Sequence, residues 1–353
     1  MPSNKIRTVE QLTLKEKIGQ LFLIGFRGND ISESSEILEN IEQYKPGGVI
    51  LFDKDMVHDQ PVHNIKSPEQ VRRLTASLKK ASESPLLIGI DQEGGLINRL
   101  KPEYGFPETL SHQNLGEKDD VEFTRSHSLH IAETLAKAGI NLNFAPVLDL
   151  SSNPKSSIIA KRERSFGKSR EKVTRHARAY IEGHLQANIL TCCKHFPGHG
   201  SAEGDTHAGF VDVTDTWKED ELEPYKTLIT EGNCQMIMTA HIFNSKLDEN
   251  MPATLSENVL QHILREKLSF TGVVISDDMQ MRAISDHYSL KESLGNGLNA
   301  GLDIFCFGNN LLKEQVELKD AIAAVEQLLD EGKVTENRID ASVSRILDLK
   351  AKL

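Results

Sequence analysis

Near its middle the chain reads ILTCCKHFPGHGSAEGDTH over residues 189–207. The first part, Ile189 to Cys193, is a short apolar run of the kind that forms a buried strand. The sequence then becomes polar at once, and its proline and glycines predict a loop that leaves regular structure. That loop carries three histidines, a lysine and Asp205. Since catalytic groups often lie on loops that rigid strands support, we treat the remaining sequence as a scaffold for this loop.

Seven other short apolar runs have the same character, which makes eight predicted strands. They are Leu21–Phe26, Gly48–Phe52, Leu86–Ile90, Ile140–Val147, Ile189–Lys194, Gln235–Ala240, Gly272–Ser276 and Leu302–Phe307. Each is followed by sequence of helical character, and this alternation is typical of a parallel sheet covered by helices. The count of eight predicts an α/β fold, the (β/α)8 or TIM barrel.

Helix boundaries are indicated by capping residues at several places. A capping box begins at Thr13, and Ser67 precedes a proline at a first helical position. A third helix is predicted from about Asp120 to a stop before Gly139. The later predicted helices are Ser169–Ala187, Lys218–Glu231, Ser256–Leu268, Ser289–Ala300, Leu312–Asp330 and Asn337–Lys350.

Polar side chains stand where the predicted strands end, which is where a barrel of this kind holds its active site. The side chains are those of Asp91, Lys194, His195, His241 and Asp277. No repeat, low-complexity tract or linker interrupts the chain. We therefore expect residues 1–353 to form one catalytic domain.

Composition excludes several functional classes. The 353 residues carry a formal net charge of -11, which argues against nucleic acid or an anionic membrane as a main partner. No apolar run approaches the roughly 20 residues that cross a bilayer, and the first residues lack an apolar signal core. The four cysteines have no metal-type spacing and are expected to be reduced thiols. A cytoplasmic enzyme fits these features.

Two acids, Asp277 and Asp278, directly follow the seventh predicted strand. A carboxylate at a barrel strand end can act as a nucleophile toward the anomeric carbon of a sugar. Either acid alone could instead be a helix N-cap, since acids favour helix starts. Together with the loop at 189–207 they favour a nucleophile, and Asp277 is the better candidate because it leaves the strand first.

Asp205 and His207 are two residues apart in the same loop. If the segment is extended, their side chains lie on the same side, where the acid can hold the imidazole in one tautomer. A histidine titrates near neutral pH, so it can donate a proton and later accept one. The alternative is an exposed polar pair without a role.

A metal site is the less favoured interpretation of His195, His199 and His207. Zinc sites often use several nearby histidines. Here the spacing matches no ligand pattern, and Pro197 and Gly198 break any helix that would place His195 and His199 on one face. We expect no metal and no organic cofactor.

Taken together, these motifs resemble the family 3 glycoside hydrolases, specifically their single-domain β-N-acetylglucosaminidases, also called β-N-acetylhexosaminidases. The matching pieces are Ile90–Gly95, Asn143–Asp149, Arg164–Gly167, Lys194–His207, Met238–His241, Pro252–Ser256 and Gly272–Met279. Of these, the Lys-His-Phe-Pro-Gly-His-Gly run followed by Asp-Thr-His is highly specific.

The resemblance implies a two-step retaining mechanism on a terminal, non-reducing β-linked N-acetylglucosamine. It implies that Asp277 is the nucleophile and that His207 is the acid/base, with Asp205 as its partner. The residues that it implies for gripping the sugar are Asp91, Arg99, Arg164, Lys194 and His195. These charged groups suit sugar hydroxyls, because charge-assisted hydrogen bonds are the stronger kind.

The chain also departs from the family pattern. Leu96 stands where an arginine is usual, Ala208–Val211 replaces a stretch that usually contains proline, and Ser156–Glu163 is unusually basic and polar. The resemblance leads us to expect no second domain of the kind that longer relatives have, and such short forms resemble the cytoplasmic enzymes of cell-wall recycling. These differences concern the substrate beyond the first sugar, which could be a muropeptide fragment or a chitin oligosaccharide.

Other functions stay open at this point. Phosphate could replace water as the acceptor, giving a phosphorylase, because a histidine that has given up its proton does not repel an anion. A β-glucosidase is a further alternative, for which the Asp-Thr-His pair is less expected. A sugar-binding protein on an inactive barrel would be expected to have lost one of these catalytic residues. The expected partner is a small carbohydrate, and the sequence does not predict an oligomeric state.

Overall fold

The computed structural model describes residues 7–30, 36–60 and 62–353. Within these residues, eight parallel strands pair in chain order and close into a barrel, with the last strand beside the first. The strands are β1 Phe22–Gly25, β2 Gly48–Leu51, β3 Leu87–Ile90, β4 Leu142–Asn143, β5 Leu190–Phe196, β6 Met236–Thr239, β7 Val273–Asp278 and β8 Ile304–Phe307. The prediction of an α/β fold with a (β/α)8 barrel is confirmed.

Helices surround the barrel and cover its outer face. They are α1 Leu14–Gln20, α2 Glu36–Tyr44, α3 Pro68–Ala81, α4 His112–Lys118, α5 Val121–Lys137, α6 Arg170–Gln186, α7 Glu223–Thr230, α8 Arg282–Ser285, α9 Leu290–Ala300, α10 Leu318–Asp330 and α11 Glu336–Lys350. A π-helical segment, Asn258–Lys267, lies between β6 and β7. None of the described helices is both long enough and apolar enough to cross a bilayer.

The barrel closes between β1 and β8, where two glycines, Gly25 and Gly308, let the two backbones approach closely. A Cβ atom on Gly25 would lie 1.8 Å from the carbonyl oxygen of Gly308, so only glycine permits this contact. Below it, the rings of Phe22 and Phe305 pack with their centroids 6.2 Å apart. This apolar interior holds the strand ends, and the side chains they carry, in fixed relative positions.

Capping residues predicted the helix starts well. Thr13 and Glu16 form the predicted capping box, and the Ser67 and Asp120 side chains accept from the third backbone N–H of their helices. The predicted helix at Ser256–Leu268 is present, although it is wound as a π-helix. Three helices, α2, α4 and α8, were not predicted.

Several predicted boundaries were wrong for identifiable reasons. The fourth strand is Leu142–Asn143 instead of Ile140–Val147, because Pro146 lacks the N–H that would continue the ladder. The fifth and seventh strands instead run further than predicted, to Phe196 and Asp278. The predicted helix from Leu312 begins only at Leu318, since the Asn309 side chain bonds both backbone groups of Val316 and holds the segment between them as a loop.

Candidate active site

The polar residues that follow the strands do meet at one end of the barrel. Asp91 comes directly after β3, Lys194 and His195 lie within β5, and Asp277 lies within β7. Lys194 and His195 are only 1% and 5% exposed. A buried ammonium is tolerated only when carboxylates compensate its charge, so the partners of Lys194 define the site.

A buried carboxylate, Glu93, connects two of the predicted sugar-binding cations. One of its oxygens lies 2.8 Å from the Lys194 ammonium, and Arg164 donates to both oxygens at 2.8 and 2.9 Å. Lys194 also donates to Asp91 at 2.7 Å. Burial alone would lower the pKa of Lys194, but Asp91 and Glu93 outweigh it and raise that pKa. Burial would likewise raise the pKa of Glu93, yet Arg164 and Lys194 lower it strongly. Glu93, Arg164 and Lys194 are therefore all charged.

His195 is held between an acid and a cation. Its Nδ1 lies 2.6 Å from Oδ2 of Asp149, and its Nε2 lies 2.9 Å from Nη2 of Arg164. Because a guanidinium only donates hydrogen bonds, Nε2 must accept and Nδ1 must carry the proton. The neighbours of His195 therefore determine its tautomer.

Arg99 belongs to the same cluster but is less tightly held. Its guanidinium lies 3.8 Å from Asp91 and 3.6 Å from Asp53, an acid that follows β2. Asp53 in turn pairs with Lys101 at 2.6 Å. Positive and negative side chains therefore alternate along this series of contacts. The Arg99 side chain is 28% exposed and lies where the series reaches solvent.

The predicted nucleophile and the predicted acid/base influence each other electrostatically. Burial would raise the pKa of Asp277, but the imidazoles of three neighbouring histidines lower it to about 2. They belong to His195, His241 and His207. The neighbouring acid Asp278 is different, since burial raises its pKa to about 6. Asp277 is therefore the more acidic of the two carboxyls, and it is fully ionised across the neutral range.

His207 lies at the rim of the site and contacts Asp205. Its Nδ1 is 2.8 Å from Oδ1 of Asp205, and the imidazole is 49% exposed. Burial lowers the pKa of His207, but the Asp205 hydrogen bond and the charge of Asp277 outweigh it and raise that pKa. Since Nδ1 faces Asp205, Nε2 is the nitrogen that is available to a substrate.

The local geometry around this pair was predicted wrongly. Residues 206–208 form a turn, not an extended segment. Asp205 accepts from the backbone N–H of His207 at 2.8 Å, and its own carbonyl accepts from Ala208 at 2.9 Å. The two side chains meet because the turn folds the imidazole back onto the acid, not because they share one side of a strand.

Two glycines let this loop pass over the barrel end. A Cβ on Gly200 would lie 1.7 Å from the carbonyl oxygen of Leu150, and one on Gly198 would lie 2.5 Å from the Glu221 carboxylate. The close approach allows the backbone N–H of His199 to donate to Asp149 at 2.7 Å. The glycine-rich sequence is thus explained by close packing beneath the site.

The structure does not bring the three histidines of this loop together as ligands. His199 is buried, with neither ring nitrogen bonded to a described residue, whereas His207 is half exposed at the rim. Among residues 7–30, 36–60 and 62–353, no group of three or more His, Cys, Asp or Glu side chains is arranged to hold a metal ion.

Comparison with known proteins places the chain in a family. A family model described as the glycosyl hydrolase family 3 N-terminal domain matches residues 13–349. The chain belongs to glycosyl hydrolase family 3. The resemblance inferred from the motifs is therefore confirmed.

Named relatives of this family 3 chain are β-hexosaminidases. Beta-hexosaminidase A of Pseudoalteromonas piscicida is 31% identical over 97% of this chain, and the chain spans 62% of that protein. A Tolumonas auensis beta-hexosaminidase is 36% identical over 75% of this chain and 76% of its own length. A solved family 3 β-N-acetylglucosaminidase from Paenibacillus is 34% identical with a TM-score of 0.87. The alignment to that structure covers 97% of this chain and 62% of the Paenibacillus chain.

Three residues of this family 3 site were not singled out for a role from the sequence. Glu93 and Asp149 lie inside quoted motifs, and His241 was noted only as a strand end. His241 places its Nε2 3.0 Å from the carbonyl oxygen of Asp278 and its Nδ1 2.8 Å from Thr254, so it supports the end of β7. Glu93 and Asp149 could have been suspected, because an acid within an apolar motif needs a buried partner.

Proposed function

We propose that this chain is a retaining exo-β-N-acetylglucosaminidase that cleaves terminal, non-reducing β-linked N-acetylglucosamine. The observation that carries the mechanism is the pairing of an ionised Asp277 with a His207 whose pKa is raised by Asp205 and Asp277 despite its partial burial. The relatives named β-hexosaminidase support the choice of sugar. The four reduced cysteines support a cytoplasmic location as part of the same proposal.

In the first step, a carboxylate oxygen of Asp277 attacks the anomeric carbon. The bond from that carbon to the leaving oxygen breaks, and protonated His207 donates its Nε2 proton to this oxygen. Because Asp205 holds Nδ1, the remaining proton stays directed toward a carboxylate, and the imidazole becomes neutral without leaving its position. The product of this step is a sugar ester on Asp277.

In the second step, water attacks the same carbon while neutral His207 accepts its proton. The ester bond to Asp277 breaks, which restores the carboxylate and releases the sugar with its β configuration. Lys194, Arg164 and Arg99, balanced by Asp91 and Glu93, present charged donors and acceptors to the sugar hydroxyls throughout. No metal or organic cofactor enters either step.

A trapping experiment tests this proposal. A 5-fluoro N-acetylglucosaminyl fluoride forms the ester quickly and releases it slowly, so intact-protein mass spectrometry followed by peptide mapping should locate one sugar on Asp277. Asp277→Asn should give no adduct and no turnover. The adjacent variant Asp278→Asn is the matched control and should still be labelled. An adduct on another residue, or none with the wild-type protein, would overturn the mechanism.

The acid role of His207 is tested separately by the leaving group. His207→Ala should reduce the first step least for dinitrophenyl glycosides, because a good leaving group needs little acid assistance. For alkyl or sugar leaving groups the loss should be of the order of a hundredfold or more. Equal loss for every leaving group would contradict the acid role.

Phosphorolysis is a second candidate because the acid/base is an imidazole. After it has given up its proton, His207 is neutral and does not repel a phosphate that enters in place of water. Adding inorganic phosphate and measuring N-acetylglucosamine 1-phosphate against free N-acetylglucosamine separates the two reactions. We expect free sugar to dominate, and a dominant sugar phosphate would replace hydrolysis by phosphorolysis.

A further inference from the structure

The loop between β4 and α6 carries four basic residues that lack charge partners. We call Lys155, Lys161, Arg162 and Lys168 the basic rim. All four are exposed, and none of their side chains forms a hydrogen bond or an ion pair with another described residue. In the adjacent helix the opposite holds. Arg170, Lys172, Arg175 and Arg178 each pair with a carboxylate.

The basic rim gathers four unpaired cations on one loop of a protein whose net charge is -11. The protein has enough acids to pair the cations of α6. Among the described residues, it does not place any of them against the side chains of the basic rim. Its position on a strand-to-helix loop also places it at the end of the barrel where Asp277 and His207 lie. The unpaired charge is therefore available to a ligand that occupies this end of the barrel.

The basic rim is attached to the loop that carries the catalytic pair. The Ser157 hydroxyl donates to the Glu203 carbonyl at 3.2 Å, and the Asn153 amide donates to the Ser201 carbonyl at 3.3 Å. Beneath these contacts Ile158 and Ile159 are buried with Val147 in a small apolar cluster. The rim is therefore anchored from below and from the side.

Arg162 lies between the two halves of the site. It is two residues before Arg164, whose guanidinium is buried against Glu93, and it is near enough to Asp205 to add to the stronger effect of His207 in lowering the pKa of that acid. It makes no direct bond to Asp205 among the described contacts. The leaving group takes its proton from His207, so it leaves the site beside Asp205, the acid that Arg162 influences. Lys161 directly precedes Arg162 in the chain.

We propose that the basic rim, chiefly Lys161 and Arg162, binds a leaving group that carries a carboxylate. Arginine recognises carboxylates through paired N–H donors, and lysine adds a mobile point charge. This inference rests on the proposed function, because it names the class of leaving group that the same site accepts.

A purely supporting role for Arg162 makes a different prediction. If it only kept Asp205 ionised, replacing it would affect every substrate alike, since all of them need the same proton from His207. A binding role instead discriminates between leaving groups of different charge. The measurement must therefore compare two leaving groups that differ in charge and in little else.

The test uses a pair of aryl N-acetylglucosaminides whose ring bears either a carboxylate or the corresponding carboxamide. The wild-type protein should prefer the carboxylate in kcat/KM. The double variant Lys161→Gln/Arg162→Gln should lower the ratio of the two kcat/KM values by roughly three- to tenfold, the size expected for two exposed charges. Charge reversal in Arg162→Glu should lower the ratio further.

Two controls complete the design. Lys137→Gln removes one positive charge from the end of α5 and should leave the ratio unchanged. Raising NaCl from about 50 mM to about 500 mM should shrink the wild-type preference, because it shortens the screening length several-fold. Thermal melts check that the variants fold.

The outcomes separate this inference from the proposed function. Hydrolysis of the carboxamide substrate without any preference for the carboxylate overturns the basic-rim proposal alone. An equal loss of kcat/KM for both substrates in the double variant also overturns that proposal. It would mean that Arg162 acts only by keeping Asp205 ionised. Failure of the wild-type protein to hydrolyse either substrate contradicts the proposed function itself.

Discussion

The carboxylate of Glu93 and the ammonium of Lys194 lie 2.8 Å apart with both side chains 1% exposed. The same carboxylate accepts from Arg164, so one buried acid orients two of the cations that we assign to sugar binding. Such a group acts on the substrate through its neighbours, and its removal leaves two buried cations with too little compensating charge.

Glu93→Gln should therefore impair both folding and catalysis. We expect the free energy of unfolding to fall by roughly 3 kcal/mol, because a buried ion pair loses one partner. In the variant that still folds, KM should rise as Lys194 and Arg164 lose their alignment. Urea unfolding and steady-state kinetics measure the two effects. Glu69→Gln, which breaks an exposed pair with Arg73, is the matched control and should change stability by less than about 1 kcal/mol.

Asp149→Asn should reverse the tautomer of His195. An amide N–H facing Nδ1 would move the imidazole proton to Nε2, where it would oppose the N–H donors of Arg164. We expect kcat/KM to fall by about a hundredfold or more while the backbone bond from His199 to this side chain persists. Nitrogen NMR shifts of the His195 ring report the tautomer directly. A variant that kept the proton on Nδ1 yet lost activity would contradict this explanation.

Asp205→Asn should move the alkaline limb of the pH profile to lower pH. The Asp205 hydrogen bond raises the pKa of His207, which keeps the acid protonated to higher pH. Without that charge the pKa of His207 falls, so the protonated form is lost at lower pH as pH rises. The measurement is kcat/KM against pH with a disaccharide substrate. Asp212→Asn, which removes an exposed charge but keeps an oxygen that accepts the turn bond from the Thr214 N–H, should leave the limb in place.

Lys350 is expected to cost stability near neutral pH. It is 1% exposed, its one described side-chain bond goes to Gln20 at 2.7 Å, and burial lowers its pKa to about 7. Between that value and the ordinary lysine pKa the unfolded chain binds a proton that the folded chain does not, so this group makes stability rise with pH. Lys350→Met should raise the free energy of unfolding by roughly 1–3 kcal/mol at pH 7.

The pH dependence of that difference is the check. The gain from Lys350→Met should shrink as pH is raised from about 7 toward 10, because less free energy is then needed to deprotonate the lysine that folding buries. A gain that stayed constant across this range would mean that the variant acts through packing alone. Chemical denaturation of both proteins at several pH values distinguishes the two cases.

Much of the site could be predicted because the chemistry is local in sequence. Asp277 follows a predicted strand, and Asp205 and His207 share a loop, so residue type and position already suggested the proposed nucleophile and acid. Asp91, Lys194 and His195, which we propose to bind the sugar, were likewise noted at strand ends. The local sequence pattern did not indicate roles for Glu93 and Asp149. Their partners, Arg164 and His195, lie 71 and 46 positions away in the chain.

By itself, the sequence predicted the barrel, since eight apolar runs that alternate with helices are typical of a parallel sheet that closes on itself. It also determined which residue types reach the ends of the strands. Only the tertiary structure decided how those residues are charged and oriented. The charge of Lys194, the tautomer of His195 and the raised pKa of His207 each depend on neighbours that folding brings within about 3 Å, where electrostatic interactions are strongest.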